Sequence, residues 1–429
     1  MVERTADATT GAAPAGALWR GRRFARAWAA QTVSELGDRV SELALPLVAV
    51  TVLDESASRV AVLTAVVWLP NLLALLVGTW VDRRPRPRRL LVVADLARAL
   101  VVLTVPVAAL LEALSFAHLL AVALLLGAWS TLFRSAWQPF FVALVPRSRY
   151  VEANSLFSAT RSGSFIAGPA LGGGLVQLLS APYALVVDGL SFLASASLLR
   201  TADVPDRVPA PDDGSSVRRR VVDGMRHVWH DPFLAPMLRC VSWVNLFTMV
   251  VQALLVVFAS RGLGLSAGMI GLALGVGAVG GLLGAVLAGR VARRIGTGYT
   301  AAAGALLFTL PIAALPLAHG TDLAKAAVLT AVEAVSAFGV MLFDVNVNAV
   351  MTAVIPDAVR ARVQGAFTTV NYGTRPLGAA LGGLLAGLVG TGPAIVVGSV
   401  AAAFSLVWLV RSPLFGLRSV DDLPDPDAP

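Results

Sequence analysis

The chain has 429 residues, 57% hydrophobic and 14% charged, with a mean hydropathy of +0.76 and a net charge of +8. A soluble domain carries roughly 25% charged residues, so a water-soluble enzyme or binding module is excluded. The lone cysteine, Cys240, excludes an intramolecular disulfide.

Residues 1–19 have no apolar core and are expected to form a disordered cytoplasmic tail. Apolar runs then follow at 24–52, 60–80, 89–111, 117–141, 152–179, 182–200, 237–260, 267–289, 298–318, 324–354, 364–388 and 392–411. Each is long enough to cross a hydrocarbon core of roughly 30 Å as a helix. The fold class is therefore all-α and polytopic: a membrane protein with 12 transmembrane helices. The runs group into six-helix bundles at 20–200 and 237–412, with a cytoplasmic tail at 413–429. A linker at 201–236 joins the bundles and ends in "VVDGMRHVWHDPF", the pattern of an amphipathic helix on a membrane surface. Its His227 and His230 have no third ligand nearby, so no metal site is expected.

Basic residues alternate between the loops. One set holds Arg20, Arg22, Arg23 and Arg26, then Arg83 to Arg89, Arg147 and Arg149, Arg218 to Arg220, Arg290 to Arg294, and Arg360 with Arg362. The opposite set holds Arg59, Arg261 and Lys325. Positively charged loops stay cytoplasmic, so both termini are expected there. The arginine excess is an orientation signal, and no nucleic-acid partner is expected.

Residues 133–175 and 343–385 align without a gap at an offset of 210. Phe133, Pro146, Gly168 and Gly173 fall on Phe343, Pro356, Gly378 and Gly383. The bundles therefore read as two parallel six-helix repeats about an axis along the membrane normal, an arrangement of transporters whose halves rock about a central site.

The loop "GTWVDRRPRPRR" has Gly78, Asp82, Arg83 and Arg86 at the spacing of a signature motif, with Pro85 and Pro87 departing from it. In the fifth span, "GSFIAGPALGG" supplies Gly163, Gly168, Pro169, Gly172 and Gly173. With "LGDRVSELALPL" and "DLARAL", these motifs resemble the major facilitator superfamily across essentially the whole chain. The branch resembled is that of bacterial siderophore, macrolide and other drug exporters. The resemblance implies a monomeric multi-pass transporter in a bacterial cytoplasmic membrane, moving a small molecule across the lipid bilayer. It implies no cofactor beyond the proton gradient, and no enzyme activity. The Asp82 loop is implied to be a conformational latch and the Gly168 stretch an antiporter-type motif, which favours export over import. A membrane sensor or scaffold of the same fold is the most distant alternative.

The first span, "SELGDRVSELALPL", carries Glu35, Asp38, Arg39 and Glu42, although a charge at a helix centre in the bilayer costs roughly 2.5–3.5 kcal/mol on insertion scales. With Gln31 they form one helical stripe about 100° wide. The repeat places Asn245, Thr248 and Gln252 at the matching positions of the seventh span. Arg134 in the fourth span maps onto Asp344 in the tenth, where Glu333 and Asn348 are also found. These stripes are expected to line a cavity, with aromatics Trp129, Phe133, Trp137, Trp243, Phe247, Phe338 and Phe343 as further candidates. Two uses of the acids stay open. Glu35 with Arg39, and Asp38 or Glu42 with Arg134, would fix packing. Alternatively one of Glu35, Asp38, Glu42, Glu333 and Asp344 carries the coupling proton, Asp38 and Glu35 being favoured. Arg161, Asp188 and Arg375 read as structural charges.

Overall fold

The protein is seen in a computed structural model that describes residues 18–204, 225–226, 228–356 and 360–423, the side chains of residues 361–362 aside. The expected tail over 1–17, most of the linker (205–224 with Arg218 to Arg220, and His227) and residues 424–429 lie outside the described residues.

Twelve long helical segments follow in order. They are α1 (Arg22–Thr51), α2 (Ala57–Asp82), α3 (Pro87–Leu110), α4 (Phe116–Leu144), α5 (Tyr150–Leu179) and α6 (Ala181–Thr201). Then come α7 (Leu234–Gly262), α8 (Ala267–Ile295), α9 (Thr297–Leu317), α10 (Asp322–Val354), α11 (Arg360–Val389) and α12 (Thr391–Val410). No strand occurs among the described residues. Ten of the twelve are long and apolar enough to cross a membrane unaided. α1 falls short through its charges. α11 does so through Arg375, Tyr372, Thr374 and its glycines, so both depend on their neighbours.

Serine and threonine set several helix starts. Ser56, Ser115, Ser266 and Thr321 accept the backbone N–H three residues on, as N-caps do. Proline shapes two interiors: Pro70 lies in a tight turn within α2, and Pro311 and Pro316 in the tightened second half of α9.

The repeat is visible in the backbone. α3 and α9 begin at 87 and 297, α5 and α11 span 150–179 and 360–389, and α6 and α12 begin at 181 and 391. The α5–α6 junction residue Ser180 has φ +71°, ψ 161°, and its counterpart Gly390 has φ +89°, ψ 163°. Glycine adopts that conformation freely, whereas serine is strained in it.

Packing differs at the two ends. Near the loops at 52–56 and 263–266 one apolar core runs through both halves, joining Leu47, Val48 and Leu185 to Leu254, Ile270 and Leu329. Toward the arginine-rich end the core splits. Ala27, Val81, Leu91, Phe140 and Leu199 form one cluster in the first half, and Leu234, Ala301, Phe343, Val363 and Leu414 another in the second. The halves are joined at one end and separate at the other.

Both flanks of the core are tied to it, including Leu18, a residue expected to belong to a disordered tail. The backbone N–H of Leu18 donates to Glu152 at 2.9 Å. In the described part of the tail, the N–H groups of Thr297 and Gly298, at the start of α9, donate to the carbonyls of Arg418 and Leu417 at 3.1 and 3.0 Å. In the linker, Val228 is buried while Trp229 stays exposed beneath Arg239, and His230 bonds the Arg226 carbonyl.

Candidate functional site

The charged stripe of α1 is there, but its partners differ from those expected. Arg39 pairs with Glu42 at 2.7 Å, not with Glu35. Glu35 reaches Arg161 of α5 at 3.8 Å and receives the Gln31 amide at 3.4 Å. Asp38 pairs with Arg98 of α3 at 3.5 Å, and Arg134 instead donates to Asn71 of α2. The helical wheel gave the face correctly; which neighbour meets it depends on the crossings of α3 and α5. Three acids against one arginine within α1 become three acids with three arginines.

The antiporter-type motif is part of this arrangement. A Cβ at Gly168 would occupy the stem of Arg39, and Gly172 faces the Cα of Val40. The α5 glycines thus let α1 and its arginine lie close, with the Arg39 guanidinium over the Phe165 ring at 5.3 Å. Gly173 turns the other way, against the backbone of Gly271 in α8, while nothing lies near Gly163.

Behind the stripe is a buried ionic network that sequence reasoning passed over. Asp95 and Asp188 are 0% exposed and Arg98 2%. Arg98 bonds Asp95, reaches Ser34 at 3.4 Å, and lies between the rings of Phe133 and Phe192 at 4.4 and 4.2 Å. Ser195 donates to Asp95 at 2.6 Å; Ser41 and Ser191 both donate to Asp188. The sequence signal was present: Asp95 and Arg98 lie within the apolar run at 89–111, three residues apart and so on one face. Asn71, in the "LPNLL" turn of α2, gave no such signal.

Other expected lining residues are distributed unevenly. Glu42, Arg134, Gln252, Asp344 and Asn348 are exposed. Thr248 is buried and bonds its own helix, as does Asn245, so these two do not act as free lining groups. Glu333 shares a wheel face with Asp344, but there α8 covers it, Gly277 lying against the Glu333 stem. The aromatics are largely packing. Trp137 joins Phe133, Phe140 and Phe157, Trp129 packs on the same core, Phe343 is buried, and the backbone of Phe338 lies against Gly284 of α8. Trp243 stacks near Phe247 and donates to the Ala401 carbonyl at 2.6 Å. Asp82 ends α2 and Arg83 follows it; with Arg86 they sit at the arginine-rich end, none without a partner.

The seam between halves is built from residues outside the expected set. Trp68 of α2 stacks on Tyr372 of α11 at 6.2 Å, and the Arg375 guanidinium lies 4.4 and 5.0 Å from the two rings. Ser58 donates to the Gly383 carbonyl at 2.7 Å. Arg261, on the final turn of α7, donates to the carbonyls of Glu55 and Val50 at 2.8 and 2.9 Å and pairs with Asp54. Among the described residues no group of histidine, cysteine and acidic side chains could hold a metal.

Comparison with known proteins agrees with this architecture. The multidrug efflux pump Tap of Mycobacterium tuberculosis (strain ATCC 25618 / H37Rv) is 30% identical over 423 residues, 93% of this chain and 94% of that one. Among solved structures, a bacterial homologue of the iron transporter ferroportin in the inward-facing state superposes with a TM-score of 0.73 at 18% identity, covering 91% of this chain and 98% of that one. The nucleoside transporter NupG superposes with a TM-score of 0.70 at 12% identity, covering 91% and 99%. The family model of the Major Facilitator Superfamily matches residues 27–379, and the chain belongs to that superfamily of membrane transporters.

Proposed function

We propose that the protein exports a bulky, partly apolar drug-like or natural-product molecule from a bacterial cell, exchanging it for protons by alternating access. The observation that carries this reading is the alignment with an efflux pump along 93% of the chain. The antiporter-type glycines of α5, packed on the charged stripe, support it. The arginine-rich end is taken as cytoplasmic by the positive-inside rule, so both termini face the cytoplasm. The seam of Arg261, Ser58 and Trp68 then closes the outer side, and the cleft between the separated cores opens inward. The protein acts as a monomer, its two halves forming the whole pathway. It uses no cofactor, and Asp82, Arg83 and Arg86 latch the cytoplasmic end when the cleft reverses. Glu35 and Asp38 lead as proton carriers, Glu35 being largely buried beside the exposed Arg161 and Asp38 half-exposed beside the buried Arg98, with Glu42, Glu333 and Asp344 following.

The test is expression in a bacterial host stripped of its own pumps, with accumulation measured across a panel of antibiotics and dyes. Lower accumulation, restored by a protonophore, is expected. A rise in accumulation on expression establishes import instead, and export that survives the protonophore removes proton coupling. In everted vesicles the Glu35→Gln, Asp38→Asn double variant should no longer concentrate substrate under a pH gradient.

A further inference from the structure

We propose that the buried network of Asp38, Asp95, Arg98 and Asp188 is a proton-binding site, which holds a proton when the cleft faces inward and exchanges it with the cleft through Asp38. The inference rests on the proton-coupled reading above and names the site that does the coupling.

Three carboxylates share one guanidinium: Asp95 and Asp38 both pair with Arg98, and Asp188 lies one hydrogen-bonded serine from α1. With every group ionised the cluster would carry two uncompensated negative charges, with Asp95, Asp188 and Arg98 almost wholly excluded from water. Burial disfavours the charged form of a carboxyl group, and a neighbouring like charge does so further. A bound proton offsets part of that excess charge.

The surrounding elements do not supply cations enough to balance it. On α1, Arg39 is committed to Glu42, and Glu35 faces Arg161. On α4, Arg134 is bonded to the neutral Asn71 and Thr131 and its charge faces Asp38, so it offsets one of the two negative charges and leaves the other, while Phe133 presents only its ring. On α6, the groups facing the two buried carboxylates are Ser191, Ser195 and the Phe192 ring. The Nε of Arg98 is buried with no hydrogen-bond partner, so its guanidinium is not fully engaged by the carboxylates it serves.

The repeat provides an internal control. At the matching positions of the second half, Asp38, Ser41, Asp95, Arg98 and Asp188 become Thr248, Val251, Ala305, Phe308 and Gly398. The contact of Ser41 with Asp188 reappears as Val251 against Gly398. One helix crossing is thus built twice, once with ions and once without, so packing does not require the charges.

Access follows from Asp38, whose side chain is 41% exposed at the edge of the cleft while still reaching Arg98. Asp38 thus connects the buried carboxyls, through the guanidinium that it shares with Asp95, to the water of the cleft. Only H⁺ moves: one carboxyl O–H bond breaks, another oxygen accepts, and nothing is oxidised or reduced.

The test is infrared difference spectroscopy on the purified full-length protein in lipid nanodiscs. Near neutral pH the wild type should show the C=O stretch of a protonated carboxyl, lost in Asp188→Asn or Asp95→Asn and retained in Glu333→Gln and Asp344→Asn. A band that persists in both aspartate variants, or none in the wild type, overturns the proposal. Ser41→Ala keeps every charge and covers the case of an aspartate variant that does not fold; it should shift the band, and an unshifted band overturns the assignment to Asp188. Reconstituted vesicles supply a separate readout. If a pH gradient drives no accumulation by the wild type, the coupled-transport reading fails while the infrared result still decides whether the proton resides here. Loss of the band with pH-driven transport retained overturns the coupling role.

Discussion

The α1–α3–α6 unit of the first half and the α7–α9–α12 unit of the second have the same crossings and different contents. In the first, Arg98 lies between two phenylalanine rings with aspartates around it; in the second, Phe308 takes the arginine's position and Val251 packs on Gly398. Replacing a buried ion pair by well-packed apolar groups is often neutral or stabilising. The second half shows that this chain can make that replacement, so the ions of the first half answer to a demand other than packing. The seam is one-sided in the same way. Arg261 reaches across to the 52–56 loop, whereas its counterpart Thr51 bonds only the Leu47 carbonyl of its own helix.

The contrast is sharpest at Arg98. Arg98→Met strands Asp38 and Asp95 without a cation and should cost about 3–5 kcal/mol, read as a drop in melting temperature of the purified protein. Phe308→Met, a nearly volume-conserving change, should cost below about 1.5 kcal/mol. Equal losses would mean that the two units are energetically alike. Next comes Arg261→Gln. It weakens hydrogen bonds to the facing loop that are each worth roughly 1.5–3 kcal/mol when charge-assisted, so the seam should open about tenfold more often. A cysteine at Leu254, in a background with Cys240→Ala, should then react faster with an impermeant thiol reagent in cells, and Thr51→Ala should leave the rate unchanged. An effect of similar size is expected at Gly37, where a Cβ would fall 2.8 Å from the Cβ of Ser191. Gly37→Ala should cost about 1–3 kcal/mol by overpacking α1 on α6. Gly163→Ala marks the low end: with nothing near it, alanine should stabilise α5 by roughly 0.5–1 kcal/mol, and a loss there would reveal a contact made only in another state.

The sequence was most informative where a rule acts along one chain segment. Apolar length gave the helices, and the offset of 210 matched Gly173 with Gly383, both of which meet a helix of the opposite half. The polar face of α1 was legible because its spacing follows the helical period. Pairings were not legible, because they depend on which helix crosses at which height. Arg161 is 126 positions from Glu35 and Arg98 is 60 from Asp38, and no local pattern links them. Asp188 looked like an isolated structural charge until α1 was laid beside α6. Glu333 shows the converse: its wheel face was right, but α8 covers that height of α10.

The tail at 413–423 has a consequence for biosynthesis. Its carbonyls at Leu417 and Arg418 satisfy the first N–H groups of α9, which precede them by about 120 residues. Exposed donors at a helix start are left to water or lipid until such partners arrive. The ribosome must therefore translate past Arg418 before α9 gains its start cap, whereas α3, its counterpart, begins at a proline, which has no N–H to satisfy there. The first half can mature in the membrane while the second is still being translated, and a chain ended after Val410 would emerge with all its spans and one of them unfinished.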